Sequence, residues 1–285
     1  MRSVMIFCEG NHDVVFTARS LGVLQGAEWI GKPIRDLPSP FGQVPDPANP
    51  RQPKLKSLIA QRYSARSIDE LRIQAAAHPP LPSFEALLRV TADDTLFVLV
   101  RSSGDGASVA AIELLRELQA LLLPAFNTDV SQLAAVFLFD ADVAGVASRE
   151  ATFATDYAAI LDAAERPSHA QWVNGKEFPV GLYVFHDRAS GTGTLEDILA
   201  PLVKNEWTDR WHAAESYVFL HEAAGDPVAI KPAERQKAQI CITGQFRCPG
   251  DPMTEVIGRN GLPQDHFTCS QSQALVDFLN RVPWP

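Results

Sequence analysis

The chain is poor in cysteine, and the four it has, Cys8, Cys241, Cys248 and Cys269, form no C-x-x-C pair. Neither a zinc ribbon nor a disulfide framework can organise it, which leaves buried or inert thiols. No apolar run approaches the roughly 20 residues that cross a bilayer, and Met1 to Cys8 lacks the pattern of a cleaved leader, so a cytoplasmic protein without membrane contact is expected. Positive charge is also in deficit: 25 Lys and Arg face 34 Asp and Glu, a net charge of minus nine. Non-specific coating of nucleic acid runs on neutralising phosphates, so that class is disfavoured for the chain as a whole. One local exception spans Arg51 to Arg66, where Arg51, Lys54, Lys56, Arg62 and Arg66 stand without an acidic residue. It reads either as a phosphate-contacting patch or as a solvated helix face. No G-x-x-x-x-G-K-[ST] loop occurs, so any ATPase function would belong to another chain.

What is present suits a sizeable core, with 46% hydrophobic and 21% charged residues over 285 positions. That length points to one α/β domain carrying an insertion. Short apolar runs at Ser3 to Cys8, Thr95 to Arg101, Ala134 to Phe139 and Val180 to Phe185 read as buried strands. Helices are expected from about Asp13, over Ala107 to about Leu122, from Gly145 to about Ala164, near Leu195, and over Gln271 to Leu279. Continuous apolar strands alternating with helices predict a Rossmann-like, doubly wound parallel sheet covered on both faces. Residues 1–20 and 95–200 form its expected core. Residues 21–94 read as an insertion beside the sheet, with a proline-rich loop over Leu37 to Pro53 and helical patches at Lys54 to Tyr63 and Ile68 to Ala77. Residues 201–285 read as an extension packed on the core.

In such sheets ligands bind beyond the carboxyl ends of the strands, which directs attention to Glu9, Arg101, Asp140 and His186. The strongest signal is Asp140-Ala141-Asp142 followed by Gly145. If the strand alternation continues, both carboxylates face one cavity. Unit charges about 4 Å apart repel by roughly 4 kcal/mol at an effective dielectric near 20, so such a pair calls for a cation. Mg²⁺, a hard ion that takes oxygen ligands and retains waters, suits them. Taken alone the motif stays ambiguous: Asp142 equally caps the next helix, and Asp140 equally ends a strand in water. A second signal is Glu9-Gly10 directly after the first strand, where the glycine permits a tight turn.

Glu9-Gly10 together with Asp140, Asp142 and Gly145 resembles the Toprim family, the catalytic domain of topoisomerases, bacterial primases and OLD-family nucleases. The resemblance covers roughly Ser3 to Asp187, interrupted by the insertion, and is nearest to small stand-alone OLD-like proteins. It implies that Glu9 acts as a metal ligand or general acid/base, that Asp140 and Asp142 hold Mg²⁺, with Mn²⁺ as a substitute, and that all three are catalytic. Asp13, four residues after Glu9, is either a further ligand or a helix-start acid. Arg101, Gly104 and Gly106 resemble the family's strand-then-glycine turn, and with Gly10 they are candidate phosphate contacts; simple turn geometry is the alternative. The chain departs from the family after the D-x-D, where Ala144, Val146 and Ala147 precede Glu150 instead of an early acid, which puts a second metal in question. Glu196 and Asp197, with a helix-start role as the alternative, His186, with a structural role as the alternative, Asp187 at the same strand end, and Arg235 and Lys237 in the tail as phosphate partners are secondary candidates.

The resemblance implies a Mg²⁺-dependent nuclease or related phosphodiester-transfer enzyme acting on DNA or RNA, paired with a separate ATPase. Topoisomerase and primase chemistries need a strand-passing body or a zinc module that the chain does not offer. A non-catalytic nucleic-acid-binding or regulatory protein retaining the fold is the competing expectation, favoured by the acidic net charge and the missing later acid. A haloacid-dehalogenase-type phosphatase also uses D-x-D, but Ala144 stands where that family has Thr or Val, and Glu9-Gly10 is left unexplained.

Overall fold

The computed structural model describes residues 1–46, 48, 59, 83–102, 107–223, 232–247, 249–250, 252–258 and 261–285. Its centre is a seven-stranded sheet of β1 (Arg2–Cys8), β2 (Glu28–Trp29), β3 (Ser83–Val90), β4 (Thr95–Arg101), β5 (Gln132–Asp140), β6 (Gln171–Asn174) and β7 (Pro179–Phe185). The spatial order is β2-β3-β4-β1-β5-β7-β6. The four inner strands β4, β1, β5 and β7 run parallel, while β2, β3 and β6 extend the edges antiparallel. The fold is thus α/β and Rossmann-like, with a mixed rather than wholly parallel sheet.

The inner strands are apolar throughout because both their faces are covered. In β1, Val4, Ile6 and Cys8 enter one core and Met5 and Phe7 the other. The first core is closed by α1 (Asn11–Gln25), α4 (Leu195–Glu206), α5 (Thr208–Ala223), α6 (Pro232–Gly244), α7 (Met253–Gly258) and α8 (Ser270–Leu279). The second is closed by α2 (Ala107–Leu121) and α3 (Val146–Asp156), with Ile34, Leu37 and Phe41 from the segment after β2. The helices after residue 201 therefore share a core with the sheet: α1 packs on α7, on α8 and on the 3-10 turn Gln264–Thr268. Cys8 lies inside this layer, where burial pushes its thiol well above its ordinary value and leaves it inert.

Two expectations are corrected, and one strand goes unforeseen. Residues 21–94 do not lie wholly beside the sheet, because they supply β2 and β3. A bulge between Phe84 and Ala86 breaks the two-residue alternation of β3, and Ala86, Leu87 and Leu88 are buried in succession, so no clean strand period is visible. The four-residue β6, largely exposed, is too short to register as a pattern. The helix expected from Gly145 to about Ala164 ends at Asp156. Past it, Tyr157 folds onto Phe137 with ring centroids 4.2 Å apart, Leu161 bridges to Gly175, and the Ile160 carbonyl accepts from the Lys176 N–H at 2.9 Å. Backbone groups spent on that bridge cannot continue a helix. Apart from Ile59, the basic patch from residue 51 to 66, the helical patches at 54–63 and 68–77, and Gly104 and Gly106 lie outside the described residues.

Candidate metal centre

β1 and β5 are neighbours in register, with Cys8 opposite Leu138, so the acids that follow them emerge side by side. The chain reverses across β1, since β4 lies on one side of it and β5 on the other, which makes this the switch point where such sheets open a crevice. Glu9 Oε2 accepts from the Asp140 backbone N–H at 3.4 Å. Beneath them α1 begins at once: the Gly10 N–H donates to Asp13 Oδ2 at 2.8 Å, closing the first turn. Asp13 thus serves as the helix-start acid and also faces the site. Gly10 sits at φ −134° and an added Cβ would meet only Asp13 Oδ2 at 3.6 Å, so the glycine is not required for a strained turn there.

The two acids of the D-x-D part company. β5 ends at Asp140, and Asp142 takes a left-handed backbone at φ 51°, tied by paired hydrogen bonds of 2.8 Å to Gly193. Strand alternation stops before it reaches the second acid. Asp140 Oδ1 accepts from the Leu195 N–H at the start of α4 at 2.9 Å. Asp142 Oδ2 turns to Arg149, whose Nη2 is 2.6 Å away and also 3.8 Å from Glu9 Oε2. Arg149 Nε donates to the Asp140 carbonyl at 2.8 Å, and the guanidinium lies over the Phe139 ring at 5.5 Å. One cation thereby bridges the first strand's acid and the D-x-D, and it belongs to the protein itself.

A second, buried layer lies under this rim. Glu196, 2% exposed, is held by His12 Nδ1 at 3.1 Å and by Lys237 Nζ at 3.5 Å, while among the described residues its Oε2 has no hydrogen-bond partner. Burial alone would raise its carboxyl, but His12 and Lys237 outweigh that and hold it below the usual value. Asp13 has the Gly10 N–H and the more distant charge of Lys237, and Asp140 the Leu195 N–H, and these do not outweigh burial. Burial, reinforced by Glu196 and Glu9, pushes Asp13 up to about 7; burial, reinforced by Asp13, Glu196 and Glu9, pushes Asp140 up to about 9. Mutually repelling acids in a low-dielectric site favour the protonated form unless a cation joins them.

Other candidates go elsewhere. Arg101 pairs with Glu85 at 3.3 Å. Glu150 accepts from the His169 N–H, Asp187 closes a turn through Ala189 and Ser190, and Asp197 caps α4 through the Thr194 N–H. His186 donates to the Val184 carbonyl, and Arg235 is exposed. Lys237 does reach the site, but as the partner of Glu196. Sequence reasoning missed Arg149 and His12 and ranked Glu196 too low. Arg149 follows Asp142 by seven, one turn into α3, and its signal was only a cation near a D-x-D.

The donor set suits a hard divalent cation: carboxylate oxygens, excess buried negative charge and one unpartnered buried oxygen. As arranged, however, no group of three or more His, Cys, Asp and Glu among the described residues closes on one ion, because Arg149 stands between the rim acids.

No protein-family model and no curated protein matches the chain. Among solved structures, a hypothetical protein from Pyrococcus horikoshii OT3 is similar over 99% of this chain and 95% of its own, with a TM-score of 0.53 and 13% identity. That likeness concerns the fold alone.

Proposed function

We propose that the chain is a Mg²⁺-dependent phosphodiester-cleaving enzyme, a nuclease of Toprim type acting on DNA or RNA and working with a separate ATPase chain. The observation that carries the reading is the meeting of Glu9 and Asp140 at adjacent parallel strand ends, over buried Asp13 and Glu196. Acids raised by one another's charge exchange a proton for a cation readily. Glu9, Asp13 and Asp140 would hold Mg²⁺ or Mn²⁺, with Asp142 joining once Arg149 releases it. When bound, the ion supplies Lewis-acid stabilisation of charge on the phosphoryl oxygens.

The remaining work falls to the chain's own groups. Glu9, at the rim and 41% exposed on its side chain, can take the proton of an attacking water and return it to the leaving oxygen as the P–O bond breaks. Arg149 carries the planar fork that matches a phosphate, and its Nε anchor on the Asp140 carbonyl aims it at the rim. The Leu195 N–H fixes one oxygen of Asp140 and leaves the other facing the site.

The same Arg149 supports a second reading, a non-catalytic nucleic-acid-binding or regulatory protein that retains the fold and uses the guanidinium in place of a metal. A cleavage assay with Mg²⁺ or Mn²⁺ on single-stranded DNA, duplex DNA and RNA separates the two. The enzyme reading expects metal-dependent cleavage that falls by about a hundredfold or more in Glu9→Gln. Absence of both cleavage and calorimetric Mn²⁺ binding would sink it in favour of the binder.

A further inference from the structure

Past Asp140 the carboxyl edge of the sheet holds a second recess, built on an unfinished strand edge. β6 pairs with β7 only as far as Gln171 opposite Leu182, so β7 continues to Phe185 without a neighbour on that side. At Val184 two imidazoles replace the missing strand. The Val184 N–H donates to His169 Nδ1 at 3.0 Å, and His186 Nδ1 donates to the Val184 carbonyl at 2.8 Å. The bonds set opposite tautomers: His169 accepts at Nδ1 and so keeps its proton on Nε2. Burial, with His186 and Arg188 beside it, pushes the His169 imidazole down to about 4, so it stays neutral. The two rings meet edge to face with centroids 4.7 Å apart.

Between these rings and α8 lies a cavity of about 600 Å³, to which Arg188, Arg281, Gln271 and Asn280 also contribute. That volume is in the range of small-molecule sites, roughly 300–1,000 Å³. Its hydrogen-bonding capacity is weighted toward donors. Gln271 Oε1 already accepts from Ser270 Oγ at 2.8 Å, and Asn280 Oδ1 accepts from Gln25 Nε2, so among the described residues each amide has its NH₂ group left over. Arg188 donates to the Ser270 carbonyl at 3.3 Å and Arg281 donates Nε to the Asp277 carbonyl at 3.1 Å. Among the described residues neither guanidinium has a carboxylate within ion-pair distance. The one acidic lining residue, Asp277, has Oδ1 taken by Gln273 Nε2 at 2.7 Å.

A cavity offering two guanidinium groups and two amide NH₂ groups, against His186 Nε2 and the second oxygen of Asp277 as remaining acceptors, is weighted toward donors and positive charge and so favours a ligand that brings acceptors and negative charge. We propose that this recess is a phosphate-recognition site, which takes the phosphoryl group of a phosphate ester through Arg188, Arg281, Gln271 and Asn280. The loop that carries Arg188 returns to Gly193, which is hydrogen-bonded to Asp142, so the recess and the carboxylate rim flank one another on the same sheet edge. The ester is therefore either a free phosphomonoester or a backbone phosphate of a bound strand. The proposal rests on the cavity's own donors and stands or falls independently of cleavage at Glu9.

Calorimetric titration of the full chain in chelator, with inorganic phosphate, adenosine 5′-monophosphate and a short single-stranded thymidine oligonucleotide as probes, tests it. Saturable binding of at least one probe is expected, weakened about tenfold or more by Arg188→Ala or Arg281→Ala, with the ring protons of His169 and His186 shifting in NMR spectra as it binds. Both arginines are exposed, so the variants should melt like the wild type, and the melt is recorded alongside. Tighter binding of the monophosphate makes the ligand a free ester; tighter binding of the oligonucleotide makes it a strand phosphate, and either ranking upholds the site. No saturable binding of any probe up to about 10 mM, or binding that the double replacement leaves unchanged, overturns it.

Discussion

Glu9 and Asp142, at the rim, are 41% and 52% exposed on their side chains and share the guanidinium of Arg149, whereas Asp13 and Glu196, in the layer below, are 4% and 2% exposed. Water and one arginine satisfy the rim. Among the described residues the lower layer has His12 and Lys237, which contact Glu196, and single backbone N–H donors on Asp13 and Asp140, which answer the remaining repulsion by holding protons. Depth rather than residue type separates the two groups: the same carboxylate is cheap at the surface and costly where its charge is desolvated. A divalent cation would reverse the arrangement, ionising the lower acids and competing with Arg149 for the upper ones.

The largest effect should follow from neutralising the half-buried Asp140. With folded values raised above the unfolded one, Asp13 and Asp140 bind more protons in the native state, so their contribution is fully present below about pH 4 and is lost as pH rises through about 7 and about 9. In chelator, Asp140→Asn, which keeps an oxygen for the Leu195 N–H, should match wild type near pH 3 and exceed its stability by an amount on the order of several kcal/mol near pH 9, read from urea unfolding. Equal pH slopes for the two proteins would refute the buried-proton account.

Adding metal should have the next largest effect. Mn²⁺ at about a hundred times its dissociation constant should stabilise wild type by about 2.7 kcal/mol, and the apparent affinity should rise between pH 6 and pH 9 as protons leave. A melting temperature indifferent to Mn²⁺ across that range would remove the metal from the site. Glu196 offers a smaller test of the coupling within the layer. Glu196→Gln should lower the Asp140 titration midpoint, followed by carboxyl carbon NMR, by roughly one pH unit, because one repelling charge is gone. An unmoved midpoint would mean that burial alone sets it. Smallest of all, Arg149→Ala should change stability by less than about 1 kcal/mol, as befits an exposed ion pair, yet tighten Mn²⁺ binding severalfold by freeing Glu9 and Asp142. Weaker binding in that variant would show that Arg149 supports the ion rather than competes with it.

Much of this arrangement was legible before any coordinates. The runs around Val4-Met5-Ile6-Phe7, Phe97-Val98-Leu99-Val100 and Val136-Phe137-Leu138 marked central strands, since a strand covered on both faces has no polar positions. Acids directly after two such runs had to emerge at one sheet edge. Less visible were the antiparallel edges, hidden by the bulge in β3 and the brevity of β6, and the divergence of Asp140 from Asp142, which depends on where β5 stops.

Local apolar patterning and the step from strand to loop were enough to mark the sheet's centre and to put Glu9 and Asp140 at the carboxyl ends of inner strands. Strand order, a tertiary property, then set β1 beside β5 and so Glu9 beside Asp140. Tertiary structure alone decided who neutralises whom. His12, Arg149, Glu196 and Lys237 come from four different helices, and their pairing is set by how α1, α3, α4 and α6 dock on the sheet. The donor-rich recess along β7 likewise exists only because Gln271, Asn280 and Arg281 of the chain's end fold back over Val184. Charge balance and hydrogen-bond satisfaction depend on distances across the fold, and no periodicity along the chain encodes those distances.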